Sequence, residues 1–186
     1  MKSKSMTRRM SLLAAIAMLP TGLVAGVTGE QVKMEKEGVQ LIRQLERAAR
    51  DIRSHAGLLD SFSGTTLISK RTHFFHLDQI KTVVNNDLGP TLARLAEIQA
   101  QLPDWKQENI DKMLAAAKAL ASHTEGAIQA KNDAGTLPAL LNAEYRERIE
   151  KLYGHAHDLV KTADAAGDYG SARLKAYDAG ITVPAA

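Results

Sequence analysis

Apolar residues recur along most of the chain at alternating steps of three and four, the period of one face of an α-helix. The first stripe reads Ile42, Leu45, Ala49, Ile52, Ala56 and Leu59, and predicts a helix from about Glu30 to Leu59. A small polar run, Ser61-Phe62-Ser63-Gly64-Thr65-Thr66, has the composition that ends helices. The second stripe is Leu77, Ile80, Val84, Leu88, Thr91, Leu95, Ile98 and Leu102. Gly89-Pro90 falls inside it and predicts a kink rather than an end, because the register resumes beyond. Asn85, Asn86 and Asp87 just before the kink are read as partners for the broken backbone rather than as a ligand site.

Pro103-Asp104, with Gln107 three residues on, starts a third helix carrying Ile110, Met113, Ala117, Leu120, Thr124 and Ala127. Asn132 to Thr136 makes a turn, and Leu141, Tyr145, Ile149, Leu152, Ala156, Leu159 and Ala163 form the fourth stripe. Past Gly167, a separate short helix is expected from about Asp168 to Tyr177. No alternating strand pattern competes. The fold expected is all-α, an antiparallel up-and-down four-helix bundle with a short extra C-terminal helix, occupying 30–178 and followed by a flexible tail, 179–186.

The first 29 residues have a different pattern. Lys2, Lys4, Arg8 and Arg9 precede an apolar stretch, Leu12 to Val27, which ends in small residues, the order of a cleaved signal peptide. Cleavage after Gly26 or Gly29 would leave Val27 or Glu30 as the first mature residue. Thr7-Arg8-Arg9-Met10-Ser11-Leu12-Leu13 resembles a twin-arginine signal, and a general secretory signal accounts for the same residues. The expected location is periplasmic or secreted, with no membrane span left after cleavage.

Four basic residues and no acidic one precede Glu30, so cleavage takes the formal charge from +3 to −1. A near-neutral domain without a basic block offers nothing to a phosphate backbone, so no nucleic-acid partner is expected. The chain has no cysteine, which excludes disulfides, thiol catalysis, thiolate metal sites and covalent haem attachment.

Several stretches resemble a family of exported helical proteins of environmental bacteria. They are His76-Leu77-Asp78-Gln79-Ile80 with Val84-Asn85 and Leu88-Gly89, Leu102-Pro103-Asp104-Trp105 with Ile110-Asp111, Thr124-Glu125-Gly126-Ala127-Ile128, and Tyr145-Arg146 with Leu152-Tyr153. The resemblance spans roughly 42–160. It implies export and a helical bundle, and it carries no assigned activity and therefore no catalytic residue.

Chemistry is sparse in the residues themselves. No histidine has a glutamate three positions before it, as a di-iron bundle requires. No Gly-x-Ser-x-Gly elbow or phosphate-cradling glycine loop occurs. An enzyme is not expected, and neither catalytic nor cofactor-binding residues are assigned. Glu35, Glu37, Arg43, Glu46, Arg47 and Arg50 are read as a solvated face with local ion pairs.

The function expected is that of a non-catalytic envelope protein, interacting with another envelope protein or with its own copy, and using no cofactor. The alternative is a small metal- or haem-binding bundle. In an up-and-down arrangement His55, His73, His76 and His123 would gather at one pole and could hold a transition metal ion. Met34 and His157 are the conceivable axial pair for a haem.

Overall fold

The computed structural model describes residues 29–102 and 104–181, without the side chains of 104–106. The residues read as an export signal, apart from Gly29, therefore lie outside the described residues, as do 182–186 of the expected tail.

All regular structure among the described residues is helical. Helix α1 runs Gly29–Ser63, α2 Lys70–Val83 and α3 Gly89–Ile98, with a π-helical turn, Val84–Leu88, joining the last two. Helix α4 runs Asp104–Asp133, a single turn α5 Leu137–Leu140, and α6 Ala143–Asp178. The starts of α2, α5 and α6 follow from short polar side chains. Ser69 Oγ accepts from the Thr72 amide, Thr136 Oγ1 from that of Ala139, and Asn142 Oδ1 from that of Tyr145. Helix α1 ends four residues later than its stripe suggests, and the Ser61 and Ser63 hydroxyls donate to the carbonyls of Leu58 and Asp60 in that added turn.

The apolar stripes meet in one core, in which Ile42, Leu45, Ile52, Leu59, Ile80, Leu95, Ile110, Leu120, Ile149 and Leu159 have lost essentially all solvent contact. Burial of each such side chain is worth about 1.5–3 kcal/mol. Helix α6 packs along α1 on one side and α4 on the other, α1 also packs against α2 and α3, and α2 touches α4. Polar ties mark both ends. Near the start of α1, Lys36 pairs with Asp178 and Glu37 with Arg94. At the opposite end Lys70 donates to the Ala134 carbonyl, and Lys131 pairs with Asp78. Both lysines lie about 5 Å from the Phe74 ring centroid, which fastens α2 to the end of α4.

Two expectations are corrected. The extra C-terminal helix does not exist as a separate element, because α6 passes through Gly167 without a break. Glycine serves close approach there. A Cβ on Gly167 would fall 2.8 Å from Arg43 Nε, so the missing side chain lets the Arg43 guanidinium cross to α6, where it bonds Asp164 and Asp168. The α1 charges are not simply a solvated face either, since Glu35 is 2% and Glu46 8% exposed. Both carboxylates share the helical phase of Val39, Ile42 and Ala49, and each is held by arginine. Burial pushes the Glu46 carboxyl up, but hydrogen bonds from Arg43 and Arg50 outweigh it and hold its pKa below the ordinary value.

The interruption expected at Gly89-Pro90 takes the form of the π-helical turn, in which the Gly89 amide donates to the Val84 carbonyl. Its cause is register as well as proline. From Ile80 to Leu88, eight α-helical residues advance about 80° past two full turns, and one residue absorbed in a wider turn takes back about 100°. Leu88 is thereby returned to the core, at 1% exposed, and Leu95 and Ile98 follow it. Asn85, Asn86 and Asp87 form the exposed outer side of this turn. Deleting Asn86 should therefore convert the segment to continuous α-helix and leave thermal unfolding cooperative and little shifted. Deleting exposed Ala93 should rotate Leu95 and Ile98 out of the core and lose about 1.5–3 kcal/mol for each. Equal effects of the two deletions in thermal melts would refute the register explanation.

Candidate histidine site

Ser69 fixes where α2 begins, and that start places His73 in phase with Leu77 and Ile80, so its ring points inward and is fully buried. Its Nδ1 lies 3.3 Å from the Tyr145 hydroxyl of α6, while Nε2 is buried without a protein partner. One turn further, His76 faces α1, and its Nδ1 sits 2.9 Å from Nδ1 of His55. The two ring centroids are 5.2 Å apart, little more than that gap plus two ring radii, so the rings meet end to end. Phe62 of α1 packs against both His73 and His76, at 6.2 and 5.9 Å between centroids, and Phe75 abuts His76. Burial lowers the pKa of His73, assisted by the neighbouring His76, and burial lowers that of His76, assisted by His55. Burial also pushes the Tyr145 phenol up.

His123 does not join this group. It stacks on His155 of α6, with centroids 5.3 Å apart and ring planes 14° from parallel, and its Nδ1 is buried without a protein partner. Its pKa is lowered by burial first, then by His155, Lys151 and Arg148, against an opposing effect of Glu147. Of the four histidines expected to converge, the structure brings His55 and His76 into contact, keeps His73 a turn away on Tyr145, and places His123 in a second pair. His155 had no signal in the sequence. Its match to His123 depends on the α4–α6 register, in which Arg148 lies over Gly126 and the rings meet about one turn nearer the start of α4 and further along α6.

Among the described residues, no three of His, Asp or Glu are arranged to hold a metal ion. The conceivable haem pair is not assembled. His157 is stacked on Tyr153, whose ring lies against Gly57, whereas Met34 packs near the start of α1. At 1.5 Å per residue, the two levels of α1 are about 35 Å apart. The sequence placed them together by ending the fourth helix too early.

A surface cleft of about 340 Å³ lies between the end of α4 and the start of α6, lined in part by Gln129, Asp133, Asn142, Glu144 and Arg148. Its charges are engaged with one another or with amides: Arg148 bonds Glu144 at 2.7 Å, and Gln129 donates to Asp133. No family model, curated protein or solved structure matches the chain.

Proposed function

We propose that the protein is a non-catalytic interaction or structural protein of the bacterial cell envelope, exported by its first 29 residues and built as an antiparallel up-and-down four-helix bundle. The observation that carries this reading is that charged side chains tie α1 to α6. Glu35 of α1 meets Arg173 of α6 in the interior, and Arg43 reaches from α1 to Asp164 and Asp168. The bundle reading is supported by the circuit of packed helices, α1 to α6, α6 to α4, α4 to α2 and α2 back to α1, with polar ties at both ends. The export reading rests on the basic and apolar order of residues 1–29 and agrees with the resemblance to exported helical proteins. No helix among the described residues is long and apolar enough to cross a membrane.

The surface favours contact with another protein. Phe75 is 55% and Leu67 91% exposed, and Leu58 and Tyr153 are also exposed on the same half of the molecule. Expression of the full chain in a bacterial host should yield a soluble envelope species beginning at Val27 or Glu30, identified by mass spectrometry. In-cell crosslinking should give a defined adduct that Leu58→Asp/Phe75→Asp abolishes without changing the melting temperature. An intact Met1 in membranes or cytoplasm would overturn the export reading, and an adduct indifferent to the double substitution would overturn the surface.

A further inference from the structure

We infer that the seam between α1 and α2 is an acid-sensitive joint, in which proton uptake by the His55–His76 pair and by His73 parts the two helices and uncovers Phe62. The geometry of the pair sets the rule. Two Nδ1 atoms 2.9 Å apart and end to end can share one N–H, one ring donating and the other accepting. A second proton puts an N–H on both facing nitrogens and a positive charge on both rings, and the contact cannot persist. A doubly protonated pair therefore requires the two rings to separate.

His73 adds to the same joint. It is fully buried, bonded through Nδ1 to Tyr145, with a hydrocarbon wall from Phe62 on one side. A proton on this ring has no carboxylate to answer it. In contact at the seam are His55 of α1 with His76 of α2, and His73 of α2 with the Tyr145 phenol of α6. Lys70, Lys131 and Asp78 are gathered around Phe74, at the contact of α2 with α4. His123, His155, Arg148, Lys151 and Glu147 form the separate group on α4 and α6. Among the described residues, no carboxylate forms an ion pair with His55, His73 or His76. The first turns of α2 also disfavour positive charge, through the unpaired amides of a helix start.

The sign follows from the lowered values. A histidine whose pKa in the closed state lies below its ordinary value, about 6.5, binds its proton more readily once the joint opens. Closure is at full strength above that ordinary value and is lost as pH falls through it toward the lowered one. What emerges is an aromatic patch, since Phe62 is partly covered in the closed state and Phe75 is already outside.

Hydrogen exchange on the full chain, corrected for intrinsic rates, tests the joint between pH 7.5 and 5. Amides of residues 70–80 should lose protection by about tenfold per pH unit for each proton taken up on opening. Amides of residues 35–50, on the arginine-tied seam with α6, should hold theirs. His55→Gln retains a hydrogen-bonding partner but removes one titrating ring, and should lower the slope for residues 70–80 by one proton. Uniform loss across the molecule, or an unchanged slope in folded His55→Gln, would overturn the proposal. Histidine-ring NMR of the unsubstituted chain and of His55→Gln gives an independent reading. A His76 ring that titrates below its ordinary value and moves up in His55→Gln supports the joint, and a His76 ring that titrates at its ordinary value and is unmoved by His55→Gln refutes it.

Discussion

Replacing Arg173 with alanine will cost about 3–5 kcal/mol of folding stability, because it removes the positive charge that answers a carboxylate in the interior. The Arg173 and Glu35 side chains are 6% and 3% exposed, with Nε and Oε1 3.2 Å apart. The guanidinium also donates to the Tyr177 hydroxyl at 2.6 Å and lies over that ring. Loss of the arginine takes the compensating charge from the buried Glu35 carboxylate, whose desolvation is then a cost to the folded state. The double replacement Glu35→Leu/Arg173→Met removes both charges while keeping apolar volume, and should recover most of the loss. Urea denaturation at pH 7 measures both. A loss below about 1 kcal/mol in the single variant would mean that water reaches this pair freely, as it does at surface ion pairs.

Tyr145→Ala should be comparably damaging, at about 3–5 kcal/mol, since it empties a large fully buried side chain from the core. Tyr145→Phe separates the hydroxyl from the ring. It keeps the volume but takes away the partner of His73 Nδ1, whose Nε2 already has none in the protein, and should cost about 1–3 kcal/mol. A His73→Leu background should abolish most of that second cost, because no buried nitrogen is then left waiting. Denaturation at pH 7.5, where His73 is neutral because burial lowers its pKa, isolates the hydrogen bond from the acid response. If Tyr145→Phe were as damaging in the His73→Leu background as alone, the hydroxyl would be serving something other than His73.

Helices were legible wherever burial and local chemistry agreed. Ile42 through Leu59 lie on one stripe because one face of α1 meets one core, and Asn132 to Thr136 contains the chain reversal that follows α4. The errors arose where a residue type has two uses. Gly167 carries the composition of a helix stop, yet it admits the Arg43 side chain from another helix. Glu35 and Glu46 look solvated by type, although their phase with Val39, Ile42 and Ala49 was available to show that they point inward. The gathering of His55, His73 and His76 near one end could be foreseen from antiparallel order alone. Their division from His123, and its pairing with His155, depended on helix lengths and register, which stripes of period 3.6 do not specify.

The packing of α1 along α6 also sets an order of events in time. About 80 residues separate the end of α1 from the start of α6, so α1 emerges during synthesis long before its longest contact surface has been made. Until residues 143–178 follow, α1 has only α2 and α3 to cover its stripe, and Glu35 has no arginine from α6. The contact is far apart in sequence for a helical protein, and such contacts slow folding through the loop that must close. The chain consequently stays open to threading, chaperone capture or proteolysis for most of its elongation, and becomes committed to its fold only when its last long helix arrives.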